Sequence, residues 1–309
     1  MLELLAEMEA LVAAPGDWLA TIRVMLCYAA CQHRLPDLGH PRRFTDWVQW
    51  RKLNERDPLQ TVLMDKLASK AMAGRRLGPD WTVPTLWSGP QLPDAPPFAA
   101  PAILKARHGC NQYRVLRDLP DAREWRGLQA LTQQWTRAPY GGWLDEWGYA
   151  GVPRGLIAEP LLPGEDGGLP RDYKIYVFGG QATHVQVHLG RGRRHRWVLH
   201  DRDYRQLVPQ ADRPPPPRSL GAMLAAAEEL AAGWDFLRVD FYEVAGRPLF
   251  GEFCLYPGSG LDPFAADWID RELGRLWAEA RQPLPSAGAV SWTNTSSRSA
   301  SRVVTSSMA

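Results

Sequence analysis

The spacing of apolar residues changes partway along the chain and predicts helices first and strands afterwards. Up to about residue 85 it follows a helical period and predicts three helices, at LELLAEMEALV, DWLATIRVMLCYAACQH and DPLQTVLMDKLASKAMAG. In the third, Asp57 is the expected N-cap, Pro58 the first helical residue and Gly74 the residue past the end. The Pro-rich stretch at 88–101 is predicted to be a linker or an extended crossing.

Beyond residue 101 the apolar positions fall into short runs that are typical of strands. Strands are predicted at AILKAR, YRVL, GLIAEPLL, DYKIYVF, ATHVQVHL and RWVLH, with a helix over 121–136. A rigid RPPPPR segment precedes another helix, two strands that contain FLRVDFYEV and FGEFC, and a final helix. This order predicts an α+β fold with antiparallel hairpins. The Ser/Thr-rich end is predicted to be a disordered tail.

Composition narrows the class of protein. The 36 basic and 34 acidic residues nearly cancel, which argues against a nucleic-acid partner. Four cysteines without a zinc-type spacing favour a reducing, cytoplasmic location. The N-terminus lacks the basic region of a signal peptide, and no apolar run is long enough to span a bilayer. The absence of a Rossmann or P-loop glycine motif argues against those two nucleotide sites.

Two acids stand inside strands that otherwise resemble core, Asp240 in the first and Glu252 in the second. A hairpin loop of three or five residues around Gly246 would place them opposite each other, whereas a two-residue loop would place them on opposite faces. Opposed carboxylates repel, so they need a shared proton, a bridging cation or an intervening arginine. Mg²⁺ is the most economical explanation because it prefers oxygen ligands. The alternative is that each acid lies at a solvated strand edge.

Basic residues in the strands also allow two interpretations, a functional one and a solvated one. Lys105 ends one apolar strand, and Lys174 shares a strand face with Asp172 and Tyr176. Each lysine either meets an anion in a cleft or lies on a solvated face. The loop HGCNQ either places backbone N–H groups over phosphates or forms an ordinary turn.

Two polar groups on the next hairpin also leave alternatives open. The basic run RGRRHRW at 191–197 is either an anion site or a solvated hairpin. His184 and His188 share a strand face with Gln186, as metal ligands or as exposed polar residues.

The stretch RVDFYEVAGRPLFGEFCLYPGSG resembles the metal-binding strand pair of ATP-grasp ligases. More narrowly, the chain resembles the TupA-like ATP-grasp family of teichuronopeptide and polysaccharide biosynthesis. Further matches occur in the family's order at WRKLNERDPLQTVLMDKLASKAM, ILKARHG, LIAEPLL and DYKIYVFGGQATHVQV.

The resemblance implies an ATP-grasp fold, with two α+β lobes clasping ATP after a largely helical N-terminal domain. The expected limits are 1–97 for the helical domain, 98–162 for the small lid lobe, 163–285 for the catalytic lobe and 286–309 for the tail.

The resemblance also implies roles for individual residues. Asp240 and Glu252 would hold Mg²⁺ on the ATP phosphates. Catalytic roles fall to Lys174, Arg191 and Arg238, with Arg238 beside the metal and Arg191 near the transferred phosphate or the acceptor. ATP contacts are implied for phosphate-binding lysines, the start of the small loop and the adenine hinge, namely Lys105, Lys174, His108, Gly109, Glu159 and Leu161.

The activity implied is an ATP- and Mg²⁺-dependent ligase that activates a small or polymer-linked carboxylate as an acyl phosphate and passes it to an amine. Peripheral membrane association stays compatible with the sequence. The chain departs from the family pattern at Cys110-Asn111, where the family loop continues Ser-Gly, and at Cys254, where the superfamily often has asparagine. These departures favour a first alternative, a nucleotide-binding homologue without catalysis. A second alternative is a sugar-transferring or sugar-binding protein of a polysaccharide pathway.

Overall fold

The computed structural model describes residues 18–164, 168–190 and 195–281. Within these ranges the chain forms seven α-helices and two antiparallel sheets. The helices are α1 Trp18–Gln32, α2 Phe44–Asn54, α3 Pro58–Met64, α4 Lys66–Leu77, α5 Ala122–Thr136, α6 Leu220–Leu230 and α7 Asp267–Arg281. The first predicted helix, the tail at 286–309 and Arg191 lie outside the described residues.

The smaller sheet has four strands in the order β1-β4-β2-β3. They are β1 Trp87–Gly89, β2 Ala102–Ala106, β3 Tyr113–Leu116 and β4 Leu156–Pro160. Along β2 the buried residues alternate with half-buried ones, and the buried ones pack with tryptophans of α5. The other face of β2 carries Ile103 and Lys105 and faces the larger sheet across a cleft.

The larger sheet has five strands in the order β7-β6-β5-β8-β9. They are β5 Asp172–Phe178, β6 Gln181–Leu189, β7 Arg196–Asp201, β8 Phe236–Val244 and β9 Arg247–Cys254. All seven residues of the central strand β5 are buried. One face packs on α6. The other face carries Asp172, Lys174 and Tyr176, so the predicted grouping of these three residues is confirmed.

The polar face of the larger sheet ends in an aromatic cluster that helices α2 and α7 cover. Phe44 of α2 packs against Phe178, Phe236 and Trp277, with ring centroids 6.3, 4.9 and 5.3 Å away. Phe44, Phe236 and Trp277 are almost completely buried. The N-terminal helices are therefore packed directly onto the larger sheet. The limits of the helical domain and the two lobes stay predictions.

The third predicted helix is two helices in the structure. Asp57 caps α3 as predicted, accepting a hydrogen bond from the second backbone N–H of the helix. Asp65 ends α3 and caps α4, and its carboxylate also accepts from Arg107 Nε at 2.7 Å. The predicted end at Gly74 is wrong. The helix continues to Gly78, whose φ of +100° is the conformation that glycine permits.

In the β8–β9 hairpin the two acids pair as predicted, but the turn and the register differ from those expected. Its turn has two residues, Ala245 and Gly246, both with positive φ. That turn alone would pair Asp240 with Gly251. A β-bulge at Gly251 shifts the register by one residue and puts Asp240 opposite Glu252. Glycine suits this position because an added Cβ would lie 3.1 Å from the Asp240 carbonyl oxygen. The predicted loop length is wrong, and the predicted pairing is confirmed.

Candidate active site

A cavity of about 720 Å³ lies between the two sheets, a volume typical of small-molecule sites. The smaller sheet contributes Ile103, Lys105 and Glu159 to its lining. The larger sheet contributes Asp172, Lys174, Tyr176, Gln186, His188, Arg238, Tyr242 and Glu252. The cavity is therefore lined by acids and bases that come from strands far apart in the chain.

Strand register aligns one polar row across the larger sheet. Gln186, Lys174, Asp240 and Glu252 stand opposite one another on β6, β5, β8 and β9. Every second residue of a strand projects to the same face. The residues two positions before and after each member of this row therefore project to the same face of the sheet as the row itself. The row brings together both predicted metal ligands and one predicted catalytic lysine.

Lys174 is buried and forms ion pairs with Asp172, at 2.7 Å, and with Asp240. Burial by itself would lower the pKa of Lys174, but the two carboxylates outweigh it and raise that pKa above its ordinary value. The alternative of a solvated lysine is therefore wrong. Lys174 is a fixed positive charge on the floor of the cleft.

The two predicted metal ligands have unequal access to the cavity. Asp240 is 1% exposed, and its two oxygens accept from Nε and Nη2 of Arg238 at 2.7 Å each. The side chain of Glu252 is 34% exposed and forms one ion pair, with Lys66 at 3.3 Å. Glu252 is thus the carboxylate open to a ligand, while Asp240 also orients the cations around it.

Lys66 is a cleft residue that sequence reasoning missed. Its Nζ donates to the Gly109 carbonyl oxygen at 2.8 Å and contacts Glu252, which ties the small loop to β9. The helical pattern gave no signal, because Lys66 looked like the middle of one continuous helix. The break at Asp65 makes it the first residue of α4.

Glu159 and Leu161, the two residues predicted to contact adenine, each form hydrogen bonds within the smaller-sheet side of the cleft. Glu159 is 5% exposed and accepts from Lys105 Nζ at 2.7 Å and from Lys70. Burial would raise the pKa of Glu159, but the two lysines outweigh it and keep that pKa below its ordinary value. Leu161 lines the cleft, and its backbone N–H donates to the Pro101 carbonyl oxygen at 3.2 Å. An adenine contact through that N–H would require this bond to open.

His108, a predicted ATP contact, has its side chain outside the cavity lining. It is fully buried, and its ring bonds to the Trp135 carbonyl oxygen at 2.9 Å and to the Gly155 backbone N–H at 3.4 Å. Its side chain anchors the small loop from below, away from the cavity. The residues that line the cavity are the ones after it, from Gly109 to Tyr113.

The donor set suits a magnesium ion shared with phosphates. No group of three or more His, Cys, Asp or Glu side chains in the described ranges is arranged to hold a metal ion by itself. Mg²⁺ in nucleotide sites usually takes one or two carboxylates and completes its shell with phosphate and water oxygens. Asp240 and Glu252 fit that pattern. Burial raises the pKa of Cys254 to about 12, so this neutral thiol adds no ligand.

A buried polar cluster, formed by Lys52, Glu146 and Ser259, supports the turn that follows β9. The turn spans Pro257–Gly260, and Pro257 and Gly258 line the cavity. Lys52 Nζ of α2 donates to the carbonyl oxygen and the Oγ of Ser259 at 2.8 and 2.7 Å. The carboxyl of Glu146 lies near this pair, since both Lys52 and Ser259 act to lower its pKa. Lys52 and Glu146 are 2% and 7% exposed.

The buried carboxyl of Glu146 in this polar cluster predicts a pH dependence of stability. Burial raises the pKa of Glu146 from 4.5 to about 7, so the folded chain holds its proton more tightly than the unfolded chain. The contribution of Glu146 to the free energy of unfolding is therefore expected to fall as pH rises from 4.5 to about 7, by up to about 3 kcal/mol. Urea denaturation across this range measures the fall. Glu146→Gln should remove most of it, and an unchanged slope in that variant would contradict the assignment.

One comparison with known proteins identifies a family. The family model described as TupA-like ATPgrasp matches residues 46–278. No curated protein sequence matches the chain. Within the described residues no helix combines the length and the apolar character needed to cross a membrane.

Several solved structures resemble the chain at low identity. N5-carboxyaminoimidazole ribonucleotide synthetase from Thermus thermophilus is 19% identical, with 63% of this chain and 45% of that chain covered and a TM-score of 0.38. D-alanine–D-alanine ligase from Bacillus anthracis is 14% identical, with 71% and 67% covered and a TM-score of 0.41. L-amino acid ligase from Bacillus licheniformis is 12% identical, with 74% and 52% covered and a TM-score of 0.44. The aligned part thus spans less than half of the synthetase.

The family match extends over three quarters of the 309 residues. It includes strand β4 with Glu159, strand β5 with Lys174 and the acid hairpin β8–β9. The chain belongs to the TupA-like ATP-grasp family and has the ATP-grasp fold.

Proposed function

We propose that the protein is an ATP- and Mg²⁺-dependent ligase that joins a carboxylate to an amine through an acyl phosphate. The observation that carries this proposal is the row of Lys174, Asp240 and Glu252, in which Lys174 and Glu252 line one cavity and Asp240 lies buried between them. Family membership supports the same reaction class.

Asp240 and Glu252 would hold Mg²⁺, with Glu252 as the open ligand and Asp240 sharing its remaining lone pairs. The metal, when bound, offsets charge on the phosphates. Lys174 and Arg238 add positive charge that the acids already hold in place. Preorganised charge of this kind stabilises a transition state more strongly in a water-poor cleft than in bulk water.

The nucleotide would lie across both sheets. Lys105, held by Glu159, and the small loop from Gly109 to Asn111 would face the phosphates. The apolar positions Ile103, Leu161 and Leu162 line the cavity on the smaller-sheet side and would contact the adenine. Positioning of this kind supplies much of the rate in phosphoryl transfer.

We extend the proposal to the biology of the substrates. Membership in the TupA-like family supports a role in cell-surface polysaccharide or peptide-conjugate biosynthesis, with a small or polymer-linked acid. The four cysteines are free thiols, which supports a cytoplasmic location, with or without peripheral membrane contact.

The test uses the full chain with MgATP and a panel of acids and amines. ADP and phosphate release should require an acid and rise when the right amine is present. An acid labelled with ¹⁸O should pass one ¹⁸O to the released phosphate, because the acyl phosphate breaks at its carbonyl carbon. Phosphate without label, released with the amide product, would contradict the acyl-phosphate route.

A nucleotide-binding protein without catalysis is the second candidate. Both oxygens of Asp240 are already in ion pairs, and Cys110, Asn111 and Cys254 replace residues of the family pattern. Tight binding of ATP by calorimetry, with no ADP formed for any acid and amine, would favour it. Hydrolysis of a nucleotide sugar without ATP would instead favour the polysaccharide-transfer alternative.

A further inference from the structure

The cavity continues beyond Lys174 toward the edge of the larger sheet, on the side away from the smaller sheet's hinge. His188 of β6 stands opposite Asp172, and Trp197 of β7 stands opposite His188. Neighbouring strands are about 4.8 Å apart, so Trp197 lies about 10 Å from β5, within reach of one small molecule. Asp262 and Phe264, from the segment after the Pro257–Gly260 turn, line the same end.

We propose that this end, defined by His188, Trp197, Asp262 and Phe264, binds the amine substrate, and that the amine bears a flat apolar or aromatic group. The proposal rests on the proposed ligase function. It specifies which class of amine the ligase accepts.

An aromatic wall supplies the contact for a flat group. Trp197 packs against Phe264 edge to face, with centroids 6.1 Å apart and an angle of 84°. Phe264 packs in the same manner on Phe44, at 6.0 Å and 80°. Trp197 and Phe264 are only half-buried, and both line the cavity. Such rings bind an apolar ring by stacking and attract a cation to their faces.

A histidine pair offers an unused polar atom. His188 Nδ1 and His195 Nε2 are 2.8 Å apart and share one hydrogen bond. His188 Nε2 is buried and has no hydrogen-bond partner among the described residues. A buried polar atom without a partner costs about 1–3 kcal/mol, which a ligand N–H would recover. Burial lowers the pKa of His188 to about 2, so the ring is neutral, and Nε2 accepts that bond in the tautomer whose Nδ1–H donates to His195.

The charge at this end suits an ammonium group. Asp262 is exposed and forms no ion pair with another described residue. Arg238, the cation nearest the same end, is held by Asp240 through two hydrogen bonds. Asp262 therefore presents a carboxylate that no ion pair among the described residues holds, which favours an amine over a second carboxylate.

The experiment measures binding of 2-phenylethylamine to the full chain by calorimetry, with Mg²⁺ and a non-hydrolysable ATP analogue and also without them. Three comparison ligands separate the determinants: ethanolamine lacks the ring, 3-phenylpropionate lacks the amine and glucosamine replaces the ring with a sugar. We expect phenylethylamine to bind at least about tenfold more tightly than each of them.

Variants tie the binding to this end of the cavity. Trp197→Ala and Asp262→Asn should each weaken phenylethylamine binding about tenfold and leave the affinity for the ATP analogue unchanged. Trp197→Phe keeps an aromatic face and should retain most of the affinity for phenylethylamine. This variant, together with Asp262→Asn, still tests the site if Trp197→Ala fails to fold. Trp268→Ala and Asp203→Asn, both on the exposed surface, are the matched controls.

The outcomes separate this inference from the proposed function. Unchanged amine binding in Asp262→Asn and Trp197→Ala, or tighter binding of glucosamine or phenylpropionate, would overturn the amine site while nucleotide binding stands. Amine binding as predicted, in a protein that binds no ATP analogue, would support the site and overturn the ligase.

Discussion

Glu252→Gln is expected to lower ATP-dependent phosphate release at least about 100-fold while the protein keeps its fold and stability. The substitution removes the negative charge that would hold Mg²⁺ and keeps the shape of the side chain. Glu252 is the more accessible of the two acids, and its one ion pair, with Lys66 at 3.3 Å, is partly exposed. Partly exposed ion pairs contribute little to stability, about 0–1 kcal/mol.

The measurement pairs coupled phosphate release with thermal unfolding. Glu279→Gln is the matched control, because Glu279 is exposed on α7 and its ion pair within residues 18–281 as described is with Arg275 on the same helix. That control should leave both the rate and the melting temperature unchanged. Turnover of Glu252→Gln within threefold of the parent would refute its role as a metal ligand.

Asp240→Asn is expected to abolish phosphate release and also to destabilise the folded protein. Asp240 is buried, and it pairs with both Lys174 and Arg238. Removing one partner from a buried charge network typically costs about 3–5 kcal/mol. The fold itself should persist, because Asp172 still pairs with Lys174 and the apolar face of the sheet is untouched.

A third substitution separates loss of activity from loss of stability. Glu243 lies on the same strand, away from the cavity, and accepts hydrogen bonds from Ser219 at 2.8 and 2.6 Å. Glu243→Gln should therefore lower the free energy of unfolding and keep phosphate release. Glu252→Gln should therefore lose activity alone, Glu243→Gln stability alone, and Asp240→Asn both. Full turnover by Asp240→Asn would contradict the assignment of the acid pair.

Much of the larger sheet could be predicted locally, and its strands occur where the two-residue period indicated them. Lys174 is instructive, because the same pattern allowed both a solvated and a buried lysine. Its environment depends on β8, more than 60 residues later, whose Asp240 lies directly opposite. A strand pattern shows which residues share a face but leaves open what covers that face.

The unexpected positions of His108 and Lys66 share a physical cause. His108 belongs to a motif that resembles a phosphate loop, yet its ring points inward because Trp135 and Gly155 offer buried hydrogen-bond partners. Lys66 was missed because one carboxylate, Asp65, breaks a helix that the apolar period shows as continuous. In both cases a side-chain hydrogen bond outweighed the local pattern.

The amino-acid sequence alone shows which strands carry charge, because an acid or a lysine inside an apolar run is visible locally. Whether these charges meet beside one cavity depends on how the strands pair in the folded sheet. That outcome depends on strand register, and the register depends on a two-residue turn and on the single extra residue at Gly251. A shift of one residue reverses every side chain of a strand, so the meeting of Asp240 and Glu252 is a property of the assembled sheet.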